Sequence, residues 1–243
     1  MDALTRAGFI AHAQSAGYQR RLGTTIALLR AELDDRSYVS FSAGKDSSVI
    51  AHLCHAIRSD IPVLMVDPGC PTHWLEGERL AWTAYAEAFG WQLVLFPWDK
   101  WREVSAARTI AEHRRLAHAG MFADLHAWAA AHGLDQRVMG MRSEESPQRA
   151  ILGATRGPSY VLADGTRALN PIIDWRVADV WAYILTHRLP WLTIYDHLGP
   201  AARNGLIGRS GATHGRLAWL KLHYPDAYLL ARTLMPIEAA QYA

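Results

Sequence analysis

Tyr38-Val39-Ser40-Phe41-Ser42-Ala43-Gly44-Lys45-Asp46-Ser47-Ser48-Val49-Ile50 is the stretch that decides the fold. Its first four residues are β-branched, aromatic or small and read as the end of a buried strand. Ser42 to Asp46 reads as a small-residue turn. From Ser47 onward Val49, Ile50, Leu53 and Ile57 recur at helical spacing. Strand, tight loop and helix start make an anion site, because the first N–H groups of a helix lack intrahelical partners and carry partial positive charge. Gly44 would let a phosphate approach the backbone. Ser42, Ser47 and Ser48 offer hydroxyls, and Lys45 a mobile cation.

Working outward, Ile61 to Val66 reads as a second strand, ending at Asp67-Pro68-Gly69-Cys70-Pro71. Thr72 to Phe89 has helical spacing, Trp91 to Phe96 a third strand, and Trp98 to His132 mostly helix. Gln136 to Met141 is a fourth strand, followed by an Arg- and Glu-rich segment. Gly153 to Gly157 reads as a loop, and Asp164-Gly165 between apolar runs as a hairpin turn. Val177 to Leu189 reads as a helix, with two short helices near Leu217 to Leu222 and Asp226 to Leu234. Strands alternating with helices predict an α/β fold: an open, mostly parallel sheet with helices on both faces. The expected organisation is a helical N-terminal segment over 1–35, a nucleotide-binding domain over 36–190, and loop and helices over 191–243 covering the site. The loop, the Asp67 turn and the Arg142 segment should converge beyond the strand C-termini.

Composition narrows the function. The chain has 243 residues, half of them hydrophobic, and a net charge of +2, which suits a globular protein with a core and neither favours nor excludes nucleic acid. The two cysteines, Cys54 and Cys70, cannot make an all-cysteine metal or iron–sulfur site within one chain. Arg6, Arg20 and Arg21 are not followed by an apolar leader core, and no apolar run could span a bilayer, so a cytoplasmic protein without membrane contact is expected. The twelve histidines form no His-Glu-x-x-His pattern.

The loop is not a Walker A motif: Val39 stands where its first glycine belongs, and Asp46 where Ser or Thr must follow the lysine. It resembles the Ser-x-Gly-x-Asp-Ser loop of the PP-loop ATP pyrophosphatases, at Ser42, Gly44, Asp46 and Ser47. Two further segments extend the resemblance to the phosphoadenosine-phosphosulfate (PAPS) reductase family of PP-loop proteins. Gly140-Met141-Arg142-Ser143-Glu144-Glu145-Ser146-Pro147-Gln148-Arg149 is similar to that family's Gly-x-Arg-x-x-Glu-Ser-x-x-Arg segment. Asn170-Pro171-Ile172-Ile173-Asp174-Trp175 with Asp179-Val180-Trp181 is similar to its Pro-x-x-Asp-Trp…Asp-Val-Trp segment.

The resemblance implies that Ser42, Ala43, Gly44, Lys45, Asp46, Ser47 and Ser48 clamp phosphate and that Asp67 and Gly69 hold adenosine. It implies that Gly140, Arg142 and Arg149 serve the α-phosphate or a substrate anion, where arginine's planar fork fits, and that Arg209 gates the site. Asp46 would order the loop or a Mg²⁺ ion, with Glu145 orienting an arginine or lying near the metal. Metal ligands are left unassigned. Trp175 reads equally as site wall or core, and Cys54 as core.

The chain also departs from the family. Sulfonucleotide reductases carry a nucleophilic cysteine near the C-terminus, whereas Arg209-Ser210-Gly211-Ala212 has Ala212 where related members have cysteine. The implied activity is cleavage of Mg·ATP at the α-phosphate to AMP and pyrophosphate, with Lys45, Asp46 and Arg142 at the reacting phosphates. It would activate an acceptor for sulfur transfer, as in DNA phosphorothioation, with a cysteine desulfurase or other sulfur donor as partner, DNA as a possible acceptor, and no iron–sulfur cluster. The alternatives are a PAPS reductase using Cys70, a nucleotidyltransferase of the FAD-synthetase type, and a non-catalytic subunit sensing ATP or AMP.

Overall fold

Among the described residues, six strands form one sheet: β1 (Ser37–Phe41), β2 (Pro62–Asp67), β3 (Gln92–Pro97), β4 (Gln136–Val138), β5 (Ser159–Val161) and β6 (Arg167–Leu169). The computed structural model describes residues 1–67, 76–98, 100, 103, 106–107, 109, 111–112, 115–202 and 215–234. The strand order is β3-β2-β1-β4-β6-β5. All neighbours are parallel except β5 and β6, which are the expected antiparallel pair around Asp164-Gly165.

The helices are α1 (Ala3–His12), α2 (Ala16–Glu32), α3 (Lys45–Ile57), α4 (Glu76–Ala88), α5 (Met121–Ala131), α6 (Pro147–Arg156), α7 (Val177–Thr186), α8 (Ile194–Leu198), α9 (Gly215–His223) and α10 (Pro225–Leu234). A π-helical turn, Arg115–Gly120, leads into α5. Side chains alternate across β1, so its two faces feed two cores. Val39 and Phe41 pack with Val49, Leu53 and Trp82 on one side. Tyr38 packs with Leu64, Phe96 and Leu125 on the other. Burial on both faces is why the strands read as continuous apolar runs.

The N-terminal helices pack within the chain: α1 lies on α7 and α2 on α3. Asp2 and Ser15 cap them, accepting from Thr5 N at 2.8 Å and Tyr18 N at 3.2 Å.

The structure corrects several sequence-based boundaries. The loop helix begins at Lys45, two residues before Ser47. β4 ends at Val138 and α7 at Thr186. Gly153 to Arg156 is the end of α6, not loop. Ser146 and Pro147 start that helix, with Ser146 Oγ accepting from Arg149 N at 3.3 Å and Pro147 at the first helical position. Glycine stands inside this helix for want of space: an added Cβ would lie 2.6 Å from Ser143 Oγ.

Candidate functional site

The chain leaves β1 toward β2 and β3, then returns to β1's other side at β4, so β1 and β4 flank the point where the winding reverses. Ligands in open α/β sheets bind beyond the strand ends at such a point. The loop after β1 and the segment after β4 meet there in backbone contact. A Cβ on Gly140 would lie 2.5 Å from Asp46 C, 2.6 Å from Asp46 O and 2.8 Å from Ser47 N. Gly140 therefore holds the loop's first helical turn against the Arg142 segment.

Within the loop the sharp turn falls on Ala43, whose φ is +51°. Gly44 has ordinary extended backbone, φ −71° and ψ 153°, and caps α3 without a side chain. Ser47 and Ser48 are buried, and both hydroxyls donate to Gly44 O at 2.9 Å. Ser47 Oγ also accepts from Ser42 N at 3.2 Å and pairs with Ser42 Oγ at 3.1 Å. The two inner serines brace the turn, and Ser42 presents the loop's exposed hydroxyl.

Lys45 corrects the expectation of a mobile cation. Its side chain is 3% exposed. Its Nζ donates to Ala202 O at 3.0 Å, lies 3.2 Å from Asp46 Oδ2 and sits 5.2 Å from the Tyr195 ring centroid. Its backbone N–H donates to Tyr195 Oη at 3.1 Å. The ammonium is thus a fixed charge, balanced against the positive end of α3 by a carboxylate, a carbonyl and an aromatic face. Tyr195 and the Ala202 carbonyl are site-building groups that sequence reasoning missed, and no local signal links them to a loop more than 140 residues away.

Asp46 Oδ1 accepts from Arg142 Nε at 2.6 Å, so this carboxylate bridges Lys45 and Arg142. Arg142 Nη1 donates to Glu144 Oε2 at 2.5 Å, and that oxygen also accepts from Val177 N at 2.7 Å. Burial pulls the Arg142 pKa down, but Asp46, Glu145 and Glu144 outweigh it and hold the pKa above its ordinary value. Glu145 Oε2 accepts from Arg142 N at 2.9 Å and pairs with Arg149. Glu145 therefore orients, as one of its two expected roles required. Arg149 is partly exposed and reaches the site only through Glu145, four residues before it.

Asp67 ends β2, half-buried, its carbonyl accepting from Trp98 N at 2.8 Å. Gly69, Cys70 and Arg209 lie outside the described residues. Cys54 is buried in the core, where desolvation pushes its thiol far up. Among the described residues no group of three His, Cys, Asp or Glu could hold a metal ion. Both Asp46 oxygens already face cations, so the described residues do not build a Mg²⁺ site of their own.

The third motif touches the Arg142 segment through its backbone, Ile173 O accepting from Ser143 N at 2.8 Å. Trp175 is core, its Nε1 donating to Thr25 Oγ1 at 2.9 Å, and Asp174 is exposed. Asp179 is fully buried. It accepts from Arg21 Nη2 at 2.6 Å, Arg21 Nε at 2.9 Å and Arg176 N at 2.7 Å, and pairs with His12 Nε2 at 2.8 Å. Burial raises its carboxyl pKa, yet the Arg21 fork, the Arg176 N–H and His12 together hold it below the usual value of 3.8. A cavity of about 440 Å³, lined by Leu29, Leu33, Ile57 and Arg58 among others, lies at the far end of α3 from the loop. Among the described residues no helix is long and apolar enough to cross a membrane.

Residues 36–198 match the phosphoadenosine phosphosulfate reductase domain. A phosphoadenosine 5'-phosphosulfate reductase from Synechococcus sp. is 29% identical over 176 residues, covering 65% of this chain and 68% of that protein. One from Xanthomonas oryzae pv. oryzae is 30% identical over 175 residues, covering 65% of each. The match thus spans about two thirds of these relatives' length. In fold, the chain is similar to phosphoadenylyl-sulfate (PAPS) reductase from Candida auris, solved as a phosphate complex. The TM-score is 0.52 at 15% identity, over 72% of this chain and 84% of that one. It is also similar to the U34-tRNA thiolase NcsA from Methanococcus maripaludis, solved with its [4Fe-4S] cluster. That TM-score is 0.50 at 15% identity, over 89% of this chain and 78% of that one.

Proposed function

The chain belongs to the phosphoadenosine phosphosulfate reductase domain family, and from that premise we propose that it binds ATP in the β1/β4 crevice and cleaves it at the α-phosphate, giving AMP and pyrophosphate. The observation that carries this reading is the Lys45–Asp46–Arg142 cluster at the N-terminus of α3, where two fixed cations share one carboxylate. Fixed charge facing a leaving pyrophosphate is what such a displacement needs. Exposed Ser42 and the first-turn N–H groups of α3 meet the outer phosphates, less the Lys45 N–H, which Tyr195 takes. Arg142 meets the α-phosphate. An acceptor oxygen attacks the α-phosphorus, the bond to the bridging oxygen breaks, and pyrophosphate leaves with that electron pair.

With water as acceptor the product is AMP. With a nucleic acid or other acceptor it is an adenylylated intermediate, from which a sulfur donor on a partner displaces AMP. A cysteine desulfurase as donor and DNA as acceptor belong to this proposal. Ala212 at the position where related members carry cysteine, together with the sealed Cys54 thiol, supports placing the sulfur on a partner.

A second reading, sulfonucleotide reduction through Cys70, is favoured by the activity named for the relatives. Incubation with labelled Mg·ATP separates the readings. AMP with pyrophosphate supports the first, and ADP with phosphate removes it. Sulfite release from phosphoadenosine phosphosulfate with a dithiol reductant, lost in Cys70→Ser, establishes the second. Tight ATP binding with no turnover, with desulfurase and DNA present, leaves a nucleotide sensor.

A further inference from the structure

Arg137 is a buried cation that the chemistry above does not use. It lies on β4 directly opposite Tyr38 of β1 and is 8% exposed. Its Nη2 donates to Ser40 Oγ at 3.2 Å, and its Nη1 lies 3.4 Å from His126 Nε2. Its Cζ sits 4.4 Å from the centroid of the Phe122 ring. Neither its Nε nor the neighbouring Tyr38 hydroxyl has a hydrogen-bond partner among the described residues. The nearby carboxylate, Asp164, is reached only through His126, whose Nδ1 pairs with Asp164 Oδ2 at 2.8 Å, and it is half exposed to water. A buried guanidinium served by one hydroxyl, one imidazole and one ring face is poorly compensated, and such a charge costs stability.

Its position gives it a use. Ser40 and Ser42 are two residues apart on one strand and its exit, so they are separated by about 7 Å. The guanidinium under Ser40 is therefore about 8 to 10 Å behind the exposed hydroxyl of the loop. We propose that Arg137 is a positioning residue for an anionic substrate, a buried positive charge that orients Ser40 and raises the potential at the Ser42–Ser48 loop from behind. This rests on the reading that phosphates bind that loop. At such a distance, with an effective dielectric near 20, one charge changes the affinity for a singly charged anion by about twentyfold.

The test is calorimetric titration of the full chain with inorganic pyrophosphate, with thermal unfolding measured in parallel. Arg137→Met keeps bulk and removes charge. His126→Glu keeps Arg137 and neutralises it with a carboxylate. Each is expected to weaken pyrophosphate binding about twentyfold or more, and Arg137→Met to unfold at a temperature equal to or above that of the wild type. A merely structural arginine would lower the unfolding temperature and leave the affinity of the folded protein alone. If Arg137→Met does not fold, His126→Glu decides. Wild-type affinity in either folded variant overturns the inference and leaves the nucleotide reading standing. A wild-type chain that binds neither pyrophosphate nor ATP overturns both.

Discussion

Asp46 and Asp179 are the same local device at two depths. Each stands in the first turn of a helix, α3 or α7, and each accepts a hydrogen bond from an arginine distant in sequence. Asp179 is sealed, and its contacts come from three places: α1 through His12, α2 through Arg21, and the turn before α7 through Arg176 N. Asp46 keeps 14% of its side chain exposed and faces two cations at a crevice. A carboxylate saturated by its own fold is a clasp. One that balances two cations beside a crevice occupies charge that an incoming phosphate can take over. Depth, not residue type, separates scaffold from site.

The largest effect expected from breaking this comparison is at the clasp. Asp179→Ala leaves the Arg21 guanidinium without its fork and frees α1 and α2 from α7. Removing one partner of a buried pair costs about 3–5 kcal/mol. Denaturant unfolding should show that loss, and saturating pyrophosphate should raise the variant's midpoint no more than the wild type's. A loss under 1 kcal/mol would mean that the N-terminal helices are held by apolar packing alone.

Gly140→Ala comes next. Its Cβ would press on the Asp46–Ser47 peptide, which cannot rotate away as a side-chain end could. The expected cost is about 3 kcal/mol, the upper end for overpacking, with ATP cleavage lost because the loop moves. Full activity with a native midpoint would show that the two backbones separate freely, and the crevice would then lie elsewhere.

Asp46→Asn sharpens the contrast further. Lys45 and Arg142 lose their shared counter-charge, at a cost of about 2 kcal/mol. Here pyrophosphate should restore the midpoint, because the anion replaces the missing carboxylate. Ligand at a hundred times its dissociation constant contributes about 2.7 kcal/mol to any variant that binds it, so the comparison is made at one fixed pyrophosphate concentration, where Asp46→Asn should gain more than the wild type. Rescue of Asp46→Asn without comparable rescue of Asp179→Ala is the signature of site against scaffold. Equal behaviour of the two variants erases the distinction.

How much of this was legible in the sequence follows from the range of the interactions. The sheet, the loop and the hairpin rest on neighbours within a few residues, and alternation and turn residues display them. The convergence of Ser42 to Ser48 with Gly140 to Arg149 also followed, because both segments leave parallel strands at the same end. Lys45 did not follow. An ammonium at a helix N-terminus looks like a waiting ligand until Tyr195 and Ala202 arrive from a segment more than 140 residues on. Asp179 stood in a quoted motif, yet its role depends on His12 and Arg21, 167 and 158 residues away. Gly153 was misread for a different reason: a glycine inside a helix looks like a break until Ser143 and Ile173, packed where its Cβ would be, show why no larger residue fits.

The smallest effect concerns the seam between the two helices that carry these aspartates. His52 of α3 pairs through Nδ1 with Tyr183 Oη of α7 at 2.7 Å, and the His187 ring lies 5.1 Å away. Burial, aided by His187 and His55, pulls the His52 pKa down to about 4 from 6.5. Burial also lowers the His187 pKa. The unfolded chain therefore binds protons that the folded chain refuses between these values. Stability from a neutral His52 is complete above pH 6.5 and is lost as pH falls toward about 4. Asp179 acts in a lower window, since its depressed pKa preserves its contribution until the pH drops below the ordinary carboxylate value of 3.8. His52→Gln should make the decline in unfolding midpoint between pH 6.5 and 4 shallower, with His187 supplying the remainder, and leave the steeper loss below that range intact. An unchanged slope in the upper window would mean that the α3–α7 seam opens before His52 is protonated, so that Asp46 and Asp179 sit on helices that move apart independently.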